Sequence, residues 1–255
     1  MTVEELYRFL EDKFPRALSA EWDNDGLCCA PSPAKEVKRV LVALDPTAAV
    51  VEAAVRGGYD VLLTHHPLLF RGIKALVPTH AVPAKLLRLA CAGVSAMSFH
   101  TRLDAVSGGV NDILAAKLGL ADVQPFAPEG EVPCGRIGVL KAPMDANAFA
   151  QLARDALGAP AVLLAGEGTV QKIAVCGGEG GDFVEAAKAA GADLFLSGRI
   201  GYHRMLDAPE EGLAMIEAGH YVTEFSVCAY LADVVREADP AIAVDVMPTT
   251  TLHTL

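Results

Sequence analysis

A gapless internal repeat constrains this chain of 255 residues more than anything else in it. Residues 51–64 align with residues 184–197: Val51-Glu52-Ala53-Ala54 with Val184-Glu185-Ala186-Ala187, Gly58 with Gly191, Asp60 with Asp193, and Val61-Leu62-Leu63-Thr64 with Leu194-Phe195-Leu196-Ser197. Each copy reads as an Ala-rich helix, a glycine stop and a short buried strand. The flanking strands follow suit. Val40 to Asp45 answers Ile173 to Gly178, and Gly93 to His100 answers Gly212 to His220 with one residue of slippage. The pattern predicts an α/β fold of two pseudo-repeated βαβ-type halves, related by a pseudo-twofold and aiming their strand ends at one cleft. Residues 125–170 break the pattern, with a strand at 136–140, a helix at 149–157 and a second strand at 161–164. This stretch is too small for an independent domain and reads as a small inserted α+β subdomain. The main domain then comprises 1–124 and 171–255.

The first repeat ends in Thr64-His65-His66-Pro67. Proline stops the strand, so two imidazoles stand at its carboxyl end, where open α/β sheets bind ligands. Adjacent strand residues point to opposite faces, so two ions suit the pair better than one unless the backbone bends. His100 and His220 end the matching strands of the two halves, each followed four residues later by a carboxylate, Asp104 and Glu224. Imidazole and carboxylate suit zinc, iron or manganese. A carboxylate can bridge two ions, and water held by two cations becomes a nucleophile near neutral pH. His65, His66, Asp104, His220 and Glu224 are therefore candidate ligands of two divalent ions in a metal-binding cleft. His100 and His203 are candidate proton carriers. Each residue also has a plain reading: Asp104 as a loop carboxylate before Gly108-Gly109, Glu224 as a helix-start acid next to an N-cap Thr223, His220 and His203 as turn or loop histidines. The repeat favours the joint reading, because it brings all of them to one edge.

The remaining features narrow the class. The net charge of −11 argues against general nucleic-acid or anionic-membrane binding, and apolar runs reach only strand length. The first residues lack a basic region followed by a long apolar one, as a secretory leader would have. The six cysteines are scattered without a Cys-x-x-Cys, which suits a reducing, cytoplasmic setting. Cys28-Cys29 is a poor metal pair, since zinc ligands are spaced. Trp22 reads as a packed lid or core residue. Asp23 and Asp25 read as turn formers or as carboxylates orienting metal ligands. Gly177-Gly178-Glu179-Gly180-Gly181 could cradle a phosphate but lacks the Lys-Ser/Thr ending of a P-loop. His80 and His253 read as surface residues.

Trp22-Asp23-Asn24-x-Gly26-Leu27, Thr64-His65-His66-Pro67, His100-Thr101-x-Leu103-Asp104, Gly108-Gly109-Val110-Asn111-Asp112, Cys176-Gly177-Gly178-x-Gly180 and Gly219-His220-Tyr221-x-Thr223-Glu224 occur in that order. In this the chain resembles the Nif-three-like family, also called YbgI-like or GTP cyclohydrolase I type 2 homologues, from near residue 1 to about residue 235. The resemblance implies a dinuclear metal centre in an α/β fold and a homohexameric ring. It implies that His66 and Asp104 hold one ion, that His65 and His220 hold the other, that Glu224 bridges, and that His100 lines the site. The residues themselves point to a metal-dependent hydrolase that uses metal-activated water on a small polar, phosphorylated or nucleotide-like substrate. The alternatives are a metal-stabilised scaffold or regulator, and a GTP cyclohydrolase. In one place the chain departs from the family: Ser197-Gly198-Arg199 stands where relatives usually have Thr-Gly-Asp. Arg199 there is a candidate for binding an anionic substrate, or for a surface partner.

Overall fold

A computed structural model describes residues 1–128 and 130–248 and divides the chain into two compact units. The first contains Met1–Leu103 and the C-terminal segment from Val227; the second is Asp104–Ser226.

The first unit contains α1 (Val3–Lys13), β1 (Gly26–Cys29), β2 (Arg39–Ala43), α2 (Ala48–Arg56), β3 (Val61–Thr64), α3 (Ala81–Ala92) and β4 (Ser95–Ser98). A short helix α4 (Thr101–Ala105) carries the chain into the second unit. That unit holds α5 (Val110–Lys117), β5 (Ala121–Phe126), β6 (Gly135–Asp145), α6 (Ala146–Leu157), β7 (Leu163–Ala165), β8 (Thr169–Glu179), α7 (Val184–Ala189), β9 (Leu194–Arg199), α8 (Tyr202–Glu210), β10 (Ala214–Glu217) and α9 (His220–Glu224). The chain then returns to the first unit with α10 (Val227–Ala238) and β11 (Ala243–Val246).

Each unit is built on one sheet. The first has the order β1-β4-β3-β2-β11, parallel except for β1 at its edge. Residues of β3 and β4 are buried throughout, as a parallel sheet covered on both faces requires. Leu41, Val51, Leu62 and Leu89 share its core. The second sheet has the order β5-β6-β8-β9-β10-β7, with β8, β9 and β10 parallel. Phe149 and Ala153 of α6 pack with Ile173 and Leu194 in its core.

The repeat holds down to single hydrogen bonds. Val40 pairs with Val61 in the first sheet and Ile173 with Leu194 in the second, the partners the alignment matches. Asp60 Oδ2 accepts the amides of Lys38 and Arg39 at 2.8 and 2.9 Å. Asp193 Oδ2 accepts those of Gln171 and Lys172 at 2.9 and 2.7 Å. Each aspartate clamps the start of one parallel strand to the start of the next, satisfying amides that the ladder leaves over. The slippage is also located. The amides of Phe99 and Ala218 donate to the equivalent carbonyls of Thr64 and Ser197, so His100 precedes α4 whereas His220 opens α9.

Residues 125–170 do not form a separate subdomain. β6 pairs with β8 and β7 with β10, so this stretch completes the second sheet, and the boundary between units falls instead at Leu103 and Ser226. The insertion reading fails because a sheet edge recruits strands regardless of where they lie in the chain. Strands β1, β5 and β11, short or poorly patterned, went unpredicted for the same reason. Among the described residues no helix is long and apolar enough to cross a membrane.

Candidate metal site

The turn after β3 sets the site in the first unit. β2–β3 pairing runs on past the strand: the amide of His65 donates to Ala43 O at 3.3 Å and that of His66 to Leu44 O at 3.0 Å. Thr64 Oγ1 donates to His66 O at 2.7 Å, bending the backbone. With the bend, His65 and His66 do not diverge as neighbours on a flat strand would; their ring centroids lie 4.8 Å apart. His100, after β4, joins them at 5.3 and 5.4 Å. The three offer ligand nitrogens within 4.8 Å of one another. His100 is thus placed among the candidate ligands as well as beside them.

Each ring is oriented through Nδ1. His65 Nδ1 lies 3.0 Å from the Phe99 carbonyl, His66 Nδ1 2.7 Å from Asp45 Oδ1, and His100 Nδ1 3.0 Å from Asp23 Oδ1. The carbonyl can only accept, so His65 Nδ1 carries the proton and Nε2 is the nitrogen that could coordinate an ion. The carboxylates favour the same tautomer in the other two rings, an arrangement typical of metal-binding histidines. Asp23 is buried; its Oδ2 also accepts Thr101 N at 3.0 Å and Thr101 Oγ1 at 2.6 Å. Burial opposes its charge, but the bonds and charge of His100 and the bonds from Thr101 outweigh this and hold the carboxyl well below the usual range.

Beneath this group lies an ion pair the sequence reading missed. Arg102 is fully buried and grips Asp25 with Nε at 2.8 Å and Nη2 at 3.0 Å. Its Nη1 donates to Glu11 at 2.6 Å and to Phe14 O at 2.8 Å. Asp25 Oδ2 also accepts the His100 amide at 3.0 Å. Asp23 and Asp25 therefore hold His100 by its side chain and its backbone.

In the second unit, α9 places His220 and Glu224 one turn apart, with Nε2 and Oε2 separated by 3.0 Å. Glu224 is buried, and Asp104 and Glu224 offer carboxylate oxygens within 4.8 Å of each other. Thr223 is not an N-cap: it lies inside α9, where its hydroxyl accepts the Gly178 amide at 3.1 Å. The glycine loop has a different task from cradling phosphate. The amides of Gly177, Gly178 and Gly180 already donate to Asn111 Oδ1, Thr223 Oγ1 and the Arg199 carbonyl. Gly178 has a φ of +64°, and a Cβ there would collide with Glu224 Oε1 and meet His220 Nε2 at 3.2 Å. The glycine keeps backbone close under the His220 and Glu224 side chains. Several His/Asp/Glu groups can hold a metal ion, and imidazole with carboxylate fits the zinc, iron and manganese class.

The other expected site residues are placed differently. His203 is exposed on α8 against Tyr202, at 5.5 Å between rings, and belongs to none of the candidate metal groups among the described residues. Arg199 is exposed at the end of β9. Trp22 is not a core residue. It is 64% exposed and stands edge-on to Phe70 and His100 at 5.9 and 6.1 Å. Cys28 and Cys29 lie on β1, where burial pushes the Cys28 thiol up to about 12. His80 is exposed at the start of α3, and His253 lies outside the described residues.

The fold and these groups define an α/β protein with histidine-rich, carboxylate-containing groups suited to divalent metal. The chain belongs to the Duf34/NIF3 (NGG1p interacting factor 3) family, whose model matches residues 1–252. It is 32% identical over 244 residues to a GTP cyclohydrolase 1 type 2 homolog of Clostridium perfringens, covering 93% of this chain and 92% of the relative. Staphylococcus aureus protein SA1388 superimposes with a TM-score of 0.89 at 25% identity, over 100% of this chain and 99% of that one. Reduced HcgD from Methanocaldococcus jannaschii does so with a TM-score of 0.83 at 29% identity, over 96% and 97%.

Proposed function

We propose that this protein is a metal-dependent hydrolase that takes two divalent ions per chain, of the zinc, iron or manganese class. His65, His66, Asp104, His220 and Glu224 would hold them. The substrate is small and polar, phosphorylated or nucleotide-like. The observation that carries this reading is the group of three histidines, each fixed through Nδ1 so that Nε2 is the nitrogen offered for coordination. An acceptor on the second ring nitrogen is the usual way a metal-binding imidazole is held in place. When bound, the ions supply Lewis acidity and lower the pKa of water.

The chain's own groups do the rest. Asp45 and the Phe99 carbonyl hold the rings of His66 and His65 in place. Asp23 aligns the His100 ring through Nδ1, and in this reading His100 lines the site and hands a proton to the leaving group. His203 and Arg199 have supporting roles in this reading, in proton relay and anion recognition. The name of the curated relatives favours a second reading within the same site, ring opening of GTP with release of formate. The family resemblance adds assembly into a homo-oligomeric ring of six chains, to be checked by light scattering.

The test is elemental analysis with a turnover screen. The wild type is expected to hold about two ions per chain, and His65→Ala fewer. Metal-dependent turnover should appear on a phosphoester and nucleotide panel and vanish in Glu224→Ala. Formate from GTP would select the second reading. No metal after reconstitution with zinc, iron and manganese would end both.

A further inference from the structure

A cavity of about 570 Å³ opens beside His66 within the first unit, in the size range of small-molecule sites. Its walls divide by chemistry. Phe70, Ile73 and Val82 give it an apolar side, and Arg71 and Lys85 supply two cations. Asp45 is the one carboxylate on its lining, and that group is bonded to His66 Nδ1 at 2.7 Å. Lys85 Nζ uses one donor on the Pro46 carbonyl at 2.7 Å and keeps two for a ligand. Pro46 and Thr47 on the lining lead into α2, and Val82 lies in the first turn of α3, so two helix N-termini border the same space. Both favour negative charge there.

The aromatic end is a separate observation. Phe70, 45% exposed on the cavity wall, stands edge-on to Trp22 at 5.9 Å and to His100 at 6.2 Å. Asn24 Nδ2 donates to the Leu69 carbonyl, tying the Trp22 turn to the loop that carries Phe70. Exposed aromatic rings held in place beside a polar site serve as a platform for a flat ligand. Scattered surface aromatics would not be anchored to each other or reach a candidate metal ligand.

We propose that this cavity binds an aromatic phosphate, with its ring against Phe70 and Trp22 and its phosphate toward Arg71 and Lys85. The proposal rests on the hydrolase reading above and names the group that would receive the substrate. It also moves anion recognition from Arg199 to Arg71 and Lys85.

Phenyl phosphate, titrated calorimetrically into the metal-reconstituted protein, tests it; Trp22, the only tryptophan, reports fluorescence on the ring. Arg71→Met and Lys85→Met should each weaken binding about tenfold, as loss of a charge-assisted contact implies. Lys85→Arg should retain it, and metal content should match wild type in all three. Phe70→Ala should weaken phenyl phosphate more than inorganic phosphate. Phenol should bind far more weakly than phenyl phosphate. Equal affinity in wild type and both methionine variants, no binding by the wild type, or phenol binding as tightly as phenyl phosphate would overturn the site while leaving the metal reading intact. Binding that depends on Arg71 and Lys85 in a protein that takes up no metal would support the site while the hydrolase reading fails.

Discussion

Arg102 carries a full charge with no exposed surface, and every contact that makes this tolerable is local to it: Asp25 in a two-pronged grip, Glu11, and the Phe14 carbonyl. A lysine would keep the charge but could not reproduce the planar fork, leaving Asp25 and its neighbours under-bonded. Arg102→Lys should cost about 3 kcal/mol, the usual penalty for breaking a buried ion pair. Urea unfolding with an unchanged m-value would measure it, and a loss under about 1 kcal/mol would mean that the pair behaves as if solvated. Asp25 was legible as a turn or orienting carboxylate, but Arg102 sat in a variable motif position and nothing pointed to it as the partner. They are 77 residues apart and meet only when β1 and β4 pair. The placing of His65 and His66 at a strand end was legible, because an apolar run stops there and Pro67 follows. Their shared orientation was not, since it depends on carbonyls and carboxylates brought in by other segments.

At the level of elements, Asp60 and Asp193 are the equivalent clamps of the two repeats, and their loss should act on each sheet separately. Asp60→Ala and Asp193→Ala should each destabilise by about 2 kcal/mol, through two amide hydrogen bonds to a carboxylate. Thermal and urea unfolding check this. Burial opposes the charge of Asp60, but Lys35 and the amides of Lys38 and Arg39 outweigh it and hold the carboxyl below its ordinary value. A carboxyl depressed in the folded state contributes stability that is complete above its unfolded pKa and is lost as pH falls through the folded one. The wild type should therefore lose stability more steeply than Asp60→Asn as pH falls below about 4. Parallel acid slopes would contradict the assignment. The parallel strands and their helices were readable because burial on both faces leaves continuous apolar runs. β5 was harder, because an antiparallel addition at a sheet edge carries a weak pattern and joins by tertiary pairing.

For the whole molecule, bound metal stabilises the folded chain by mass action. Chelation should lower the midpoint of thermal unfolding and zinc should restore it, with about 2.7 kcal/mol gained at a hundredfold excess over Kd. Differential scanning calorimetry with and without chelator checks it, and coincident curves would mean that the histidine cluster holds no ion in solution. The repeat, its βαβ order, the strand-end histidines and the His-x-x-x-carboxylate pairs were all determined by the sequence alone, because each rests on local periodicity or on residues adjacent in the chain. Tertiary structure alone decided that 125–170 completes a sheet, that His100 is held by Asp23 and Asp25, that Gly178 makes room for Glu224, and that Arg71, Lys85 and Phe70 line one cavity. Those relations join groups distant in sequence, and they come into being only when the chain packs.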